Sequence, residues 1–103
     1  MELNELLNKT FDCQCGRSHT VETQKILYAP DAIECVPDVL ANCVKGRKVV
    51  IIGDVRTLSV AGERTSQALK RCGWDSDVFI VPDRDSGGPV CDDITFAWLK
   101  SQI

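Results

Sequence analysis

Short runs of apolar, β-branched residues predict the strands of this chain. Residues 48–52 form a continuous run bounded by glycines, and residues 78–81 form a second run that ends at a Pro-Asp pair. Uninterrupted runs of this length are typical of strands buried on both faces of a parallel sheet. A third segment, residues 20–29, is rich in β-forming residues and also stops before a proline. We therefore predict three strands.

Apolar residues at helical spacing predict three helices between and after these strands. Pro37 occupies a natural first-turn position, and Gly46 follows the last apolar residues of that helix as a C-cap. Thr57 is expected to cap the second helix, and Gly73 is placed to end it. The third helix is expected from Val90 onward.

Alternating strands and helices predict an α/β fold with a parallel sheet and flanking helices. The apolar residues after Val90 fall on two sides of their helix, which requires more packing partners than this chain offers. We therefore expect the sheet unit to be incomplete at its C-terminus. The unfinished sheet edge and the helix that carries Phe96, Trp98, Leu99 and Ile103 then offer a surface for self-association.

Charge and composition argue against several classes of partner. The formal net charge is −3, and the 12 Lys and Arg residues are scattered, which disfavours nucleic-acid binding. The longest apolar run, residues 49–52, is far shorter than the roughly 20 residues of a membrane span. The N-terminus lacks the features of a signal peptide, so a cytoplasmic protein is expected. Without a secretory signal, the 6 Cys residues are expected to be reduced thiols rather than a disulfide framework.

The segment Gly53-Asp54-Val55-Arg56-Thr57 lies where a predicted buried strand turns into a helix. Ligands collect at the carboxyl ends of parallel strands, and an acidic residue there can accept hydrogen bonds from ribose hydroxyls. Asp54 is therefore a candidate cofactor-binding residue; the alternative, that it only initiates the turn and caps the helix, stays open. No Gly-rich phosphate-binding motif is present, and residues 86–89 are interpreted as a surface turn.

Cys13, Cys15 and His19 bring two thiols and the single imidazole of the chain into seven residues. Two thiolates and an imidazole can hold zinc when a fourth ligand comes from elsewhere. The spacing of the two cysteines is unusual for a structural zinc site, so a polar hairpin is favoured, with metal binding and a reactive thiol pair as alternatives.

Several sequence motifs between about Phe11 and the last residue together resemble those of a known enzyme family. They are the Cys13-x-Cys15-Gly16-x-x-His19 segment and the pattern strand-Gly-Asp-x-x-Thr-x₄-Gly between residues 49 and 62. Residues 78–83 and 89–99 match the strand and helix that follow. In these marks the chain resembles the N-terminal part of the glycerol-1-phosphate dehydrogenase group, within the iron-containing alcohol dehydrogenase and glycerol dehydrogenase superfamily.

We predict an N-terminal arm or hairpin over residues 1–19, and the resemblance implies a partial Rossmann-like nucleotide-binding domain over residues 20–103. It implies an NAD(P)-dependent enzyme acting on dihydroxyacetone phosphate and glycerol 1-phosphate. The family's ribose-contacting acidic residue carries over to Asp54, with Thr57 beside it. The pyrophosphate loop and the catalytic zinc or iron would lie in parts that this chain does not contain, so no catalytic or metal-binding residue is assigned, and the 103 residues alone are expected to be inactive.

Two further functions stay open beside that expectation. One is a non-catalytic module that uses its thiol-rich N-terminus to bind a metal or to sense redox state on an α/β scaffold. The other is a self-associating domain that forms a homo-oligomer through the sheet edge or the C-terminal helix. The choice between NAD and NADP and the order of the strands are also open.

Overall fold

The computed structural model describes residues 2–103, and the chain divides into two compact units, Met1–Ala32 and Ile33–Ile103. The first unit contains a helical turn, α1 (Leu3–Leu6), and two strands, β1 (Lys9–Asp12) and β2 (Ser18–Val21). The strands pair antiparallel, with Lys9 opposite Val21 and Asp12 opposite Ser18. The expected arm or hairpin over residues 1–19 corresponds to an observed hairpin that extends to Val21, within a compact unit that extends to Ala32.

The predicted strand over residues 20–29 is wrong in extent and in pairing. Only Thr20 and Val21 of that segment belong to a strand, and they pair with β1 rather than with a parallel neighbour. The reason is that β1 offers only four residues for pairing, so the ladder ends where its partner ends. The β-forming residues after Val21 continue without regular structure.

The second unit contains the helices and the parallel strands. In chain order its elements are α2 (Val36–Cys43), β3 (Lys48–Gly53), the short helix α3 (Val55–Thr57), a π turn (Leu58–Gly62), α4 (Glu63–Arg71), β4 (Asp75–Ile80) and α5 (Asp93–Gln102). Strands β3 and β4 form a two-stranded parallel sheet, with Lys48 opposite Asp75 and Gly53 opposite Ile80. The π turn and α4 thus lie within a β-α-β connection.

The core of this unit is small and comes mainly from α4 and the residues that flank it. Its buried apolar side chains are Leu58, Ala68, Leu69 and Trp74, together with Pro37 of α2, and Leu69 is exposed by only 1%. Leu58, Ala68 and Leu69 are apolar positions at helical spacing, so this part of the predicted inward face of the second helix is confirmed, whereas Cys72, at the same spacing, is exposed. Trp74 is also covered by Arg47, whose guanidinium lies 5.1 Å from the ring centroid.

Two predicted helix starts need correction. The second helical segment begins at Val55, because Asp54 has an extended backbone and supplies the capping carboxylate, so Thr57 is not the cap. The third helix begins at Asp93 rather than near Val90, because Asp92 caps it through the backbone N–H of Thr95 at 2.9 Å. Gly73, at φ 81°, follows the C-cap of α4 as predicted, whereas the predicted Gly46 C-cap is wrong. Helix α2 ends at Cys43 because Val44 already has an extended backbone and caps it, and Gly46, at φ 82°, lies in the bend that follows.

The prediction that these strands are buried on both faces is also wrong for the described residues. Val50, Ile52, Val78 and Ile80 are exposed by 40–50%. Helix α4 packs against β4, and two strands joined by one helical connection offer little else to cover them. The second strand also starts earlier than its apolar run, because Asp75, Ser76 and Asp77 pair with the first residues of β3.

The predicted α/β class is confirmed in this coarse form: a small parallel sheet with helices, beside an antiparallel hairpin. Within residues 2–103, every helix is too short or too polar to cross a membrane.

Candidate functional site

Asp54 and Thr57 form a closed hydrogen-bonded pair where β3 ends. The Thr57 backbone N–H and hydroxyl donate to Asp54 Oδ1 at 2.8 and 2.7 Å, and the Asp54 backbone N–H donates to Thr57 Oγ1 at 2.9 Å. This reciprocal arrangement is a capping box, which satisfies free N–H groups at the start of α3. The capping role considered for Asp54 is therefore confirmed, and Asp54 is 8% exposed.

Two glycines allow this turn to be tight. A Cβ added at Gly53 would lie 2.9 Å from Thr57 Oγ1 and 3.3 Å from Leu58 Cγ. A Cβ at Gly62, in the π turn, would collide with Leu58 Cδ2. In the strand-Gly-Asp-x-x-Thr-x₄-Gly pattern, the Asp and the Thr are thus hydrogen-bonded to each other, and both glycines leave room for Leu58.

Arg56 connects the capping box to the end of β4. Its Nη2 lies 2.9 Å from Asp54 Oδ2 and 2.6 Å from Asp83 Oδ1. The guanidinium is half exposed, whereas the Asp54 side chain is 9% exposed. One cation therefore faces two carboxylates, and its charge is neutralised within the protein.

These contacts hold the pKa of Asp54 below its ordinary value. The hydrogen bond from the Thr57 hydroxyl contributes most, followed by the Thr57 backbone N–H, and the Arg56 charge acts in the same direction against the effect of desolvation. Asp54 is thus a carboxylate at neutral pH, with Oδ1 taking two donors and Oδ2 one. A carboxylate has about four acceptor sites, so about one remains on Oδ2.

A cleft of about 410 Å³ opens beside this pair, at the carboxyl ends of both parallel strands. Gly53, Asp54, Thr57 and Val81 line it from the strand ends and the first helical turn. Its other wall comes from residues that follow the second strand, namely Pro89, Val90, Cys91 and Thr95. The lining is mostly apolar, with the capping pair as its polar side.

The apolar wall is held in place by the start of α5. Arg84 Nη1 donates to both oxygens of Asp92, at 3.1 and 2.9 Å, while Asp92 caps the helix. The loop between Arg84 and Asp92 begins with a turn in which the Gly87 N–H donates to the Arg84 carbonyl, with Gly87 at φ 95°. The predicted turn over residues 86–89 is confirmed, but the prolyl residue at its end also lines the cleft.

In the N-terminal unit, three side chains with metal-binding atoms come together at the hairpin turn. The Sγ atoms of Cys13 and Cys15 and a ring nitrogen of His19 all lie within 4.8 Å of one another. Cys15 Sγ is 3.1 Å from His19 Nε2. Hydrogen bonds from the backbone N–H and thiol of Cys15 lower the pKa of Cys13. The hairpin brings these three side chains together. The sequence predicted a hairpin here but not which residues of its two strands pair.

Sequence reasoning missed most of the cleft wall. Val90, Cys91 and Thr95 lie about 40 residues after Asp54, and nothing in their spacing connects them with it. The ion pair between Arg56 and Asp83 likewise spans 27 positions. Only a general feature of the sequence connects the two segments. Each follows the carboxyl end of a predicted parallel strand, where ligand-binding loops converge.

Comparisons of the chain with known protein families, curated proteins and solved structures give no match. The resemblance to the glycerol-1-phosphate dehydrogenase group therefore stays a prediction.

Proposed function

We propose that residues 33–103 bind the adenosine end of a nicotinamide dinucleotide, as the cofactor-binding portion of an NAD(P)-dependent glycerol-1-phosphate dehydrogenase. One observation carries the proposal: a cleft at the carboxyl ends of β3 and β4 has Asp54 and Thr57 in its lining. Its volume of about 410 Å³ falls in the range of small-molecule sites, about 300–1,000 Å³. The position agrees with the general location of ligands in open α/β sheets.

The chemistry of the cleft suits an adenine nucleoside. The side chains of Val81, Pro89 and Val90 offer an apolar surface to a flat base. The remaining acceptor site on Asp54 Oδ2 suits one ribose hydroxyl, and Thr57 Oγ1, which accepts from the Asp54 N–H, keeps one lone pair for another. The capping role and the ligand role of Asp54 are therefore compatible, because they use different lone pairs.

The charges around Arg56 favour NAD over NADP. A 2′-phosphate needs a cation that is free to pair with it, whereas Arg56 already contacts Asp54 and Asp83. A phosphate placed there would meet two carboxylates. We therefore expect the unphosphorylated cofactor to bind more tightly.

Activity on dihydroxyacetone phosphate belongs to the whole enzyme that the resemblance implies, in which the cofactor would supply hydride transfer. A metal centre with two histidines does not fit these residues, because the chain contains one histidine. We therefore assign no catalytic step to this chain and expect no reduction of dihydroxyacetone phosphate by it. The free cysteines, six in number, agree with a cytoplasmic location, which we also propose.

A binding experiment with a blocked cleft tests the nucleotide site. We expect NAD and adenosine to shift the backbone amide NMR signals of Gly53, Asp54 and Thr57, with weaker shifts for NADP. Val90→Trp should abolish these shifts, because the indole would fill the cleft. Val60→Trp is the matched control, since Val60 is 75% exposed and does not line the cleft.

Two outcomes would count against the proposal. The first is the absence of shifts at residues 53–57 with millimolar NAD. The second is equal binding by Val90→Trp and Val60→Trp, which would place the ligand elsewhere. Measurable turnover of dihydroxyacetone phosphate by the purified chain would contradict its inactivity while leaving nucleotide binding intact.

A further inference from the structure

The hairpin turn of the first unit fixes two cysteines and a histidine on one short loop. The turn between β1 and β2 is closed by the Cys13 N–H donating to the Arg17 carbonyl at 2.9 Å and the Gly16 N–H donating to the Cys13 carbonyl at 3.0 Å. Gly16 has φ of 89°, a left-handed conformation that suits glycine. This backbone returns the chain so that residues 13, 15 and 19 share one side of the turn.

His19 is held by its place in the strand and by an aromatic neighbour. It lies opposite Phe11 in the antiparallel register, and the two ring centroids are 5.9 Å apart at an interplanar angle of 46°. The contact restricts the imidazole while its Nε2 lies 3.1 Å from Cys15 Sγ. The strand pairing, the closed turn and the ring contact thus hold the three ligand groups close together.

The distances are close to those of a metal site. In tetrahedral zinc sites, Zn–S is about 2.3 Å and Zn–N about 2.0–2.1 Å, so neighbouring ligand atoms lie about 3.6–3.8 Å apart. The three atoms here lie within 4.8 Å of one another. Side-chain rotation that closes the widest separation by about 1 Å and lengthens the 3.1 Å separation between Cys15 Sγ and His19 Nε2 by about 0.5 Å would bring the three atoms to coordination distance.

The described residues of the first unit form no apolar core. None of the described side chains between residues 2 and 32 is buried. Units of fewer than about 40 residues usually need disulfides, metals or association to fold. All of its cysteines are free, so a metal is a cross-link that the chemistry of the turn can provide.

We propose that Cys13, Cys15 and His19 bind one Zn²⁺ ion, with two thiolates, one imidazole and a fourth position open to solvent or to an exogenous ligand. Two thiolates balance the charge of the ion, and their binding releases up to two protons. Soft thiolates with an imidazole favour Zn²⁺ over Mg²⁺ or Ca²⁺, which prefer oxygen ligands. The half-buried and exposed positions of the three residues leave the ion accessible.

Metal titration of the reduced, metal-free full chain tests this site. We expect one equivalent of Zn²⁺ in competition with a chromophoric chelator, and one equivalent of Co²⁺ with a thiolate-to-cobalt charge-transfer band and tetrahedral d–d absorption. Cys13→Ser, Cys15→Ser and His19→Gln should each weaken binding at least about tenfold. Added imidazole should alter the cobalt spectrum, because it can take the fourth position.

Cys72→Ser is the matched control, because Cys72 is also exposed but lies in the second unit, after α4. It should bind Zn²⁺ as the unsubstituted chain does. Circular dichroism of each variant checks that the second unit is folded, so a loss of binding reports on the turn.

Three outcomes would overturn the proposal. One is the absence of stoichiometric zinc in the unsubstituted chain. Another is unchanged affinity in all three ligand variants, or an equal loss in Cys72→Ser. The last is a chain that binds no zinc and has four titratable thiols, with a disulfide between Cys13 and Cys15 identified by mass spectrometry of its peptides.

Discussion

Residues 2–32 contain no buried side chain, whereas residues 33–103 bury Leu58, Ala68, Leu69 and Trp74 where α4 meets β4. The first unit depends on eight strand residues, a closed turn and local polar contacts. The second depends on apolar burial near a carboxylate-capped turn. The two candidate sites of this small chain are therefore held in place by different interactions: the first by backbone hydrogen bonds, the second by an apolar core.

The largest expected effect comes from the core of the second unit. Leu69→Ala should lower the free energy of unfolding by about 2–5 kcal/mol, because Leu69 is 1% exposed and its truncation leaves a cavity. Thermal melts followed by Trp fluorescence measure the loss, and Val60→Ala, at a side chain 75% exposed, should stay within about 0.5 kcal/mol. Cross-strand NMR contacts of the hairpin should persist; their loss together with the core would contradict two separate units.

Acid should destabilise the second unit through its helix caps. The pKa values of Asp54 and Asp92 are lowered in the fold, by hydrogen bonds from Thr57 and Thr95 respectively. A lowered folded-state pKa means that this stabilisation is complete above the ordinary Asp value of 3.8 and is lost as pH falls through the folded value. The melting temperature should therefore fall as the pH drops below about 3.8 and through the lower pKa values that the two carboxylates have in the fold.

Serine caps provide the control for that titration. The double variant Asp54→Ser, Asp92→Ser keeps a good N-cap at both positions but removes the titrating groups. Its melting temperature should depend less on pH than that of the unsubstituted chain. An identical pH profile would show that other carboxylates dominate.

The smallest effect is expected in the hairpin. Thr10 Oγ1 and Thr20 Oγ1 lie 2.9 Å apart across the strands. Thr10→Ala should weaken the hairpin by about 0.2–1 kcal/mol, the range of cross-strand pairs, and leave the melting of the second unit unchanged. Amide hydrogen exchange of β1 and β2 measures the effect, and Thr10→Ser, which keeps the hydroxyl, should retain more protection. A change in the melting of the second unit would contradict the separation.

Local signals in the sequence predicted the local parts of the fold. The β-branched run before Gly53, the buried apolar positions of the second helix and its glycine end at Gly73 were correct, because each depends on neighbouring residues. The pairing of the hairpin and the length of β2 depend on the length and position of β1. The residue types after Val21 favour a strand whether or not a partner strand is present, so they could not predict where β2 ends.

The candidate sites divide in the same way. Asp54 and Thr57 were found because a strand-to-turn-to-helix pattern carries them within four residues. The cleft wall at Val90 and Cys91 was missed, since it reaches the site through a loop whose course depends on the Arg84–Asp92 ion pair. The sequence identified Cys13, Cys15 and His19 as candidate ligands. That all three lie on one side of the turn depends on the hairpin register, which the sequence did not predict.

Leu58 has a consequence for how this sequence can vary. Its side chain occupies the space that a Cβ at Gly62 would need, and it lies second to Thr57 Oγ1 against a Cβ at Gly53. Positions 58 and 62 therefore form one steric pair, in which a larger residue at Gly62 is tolerated only with a smaller or differently shaped residue at 58. Substitutions tested singly would make both glycines look indispensable, whereas combined substitutions would show that the constraint at Gly62 belongs to the pair and that the constraint at Gly53 also includes Thr57.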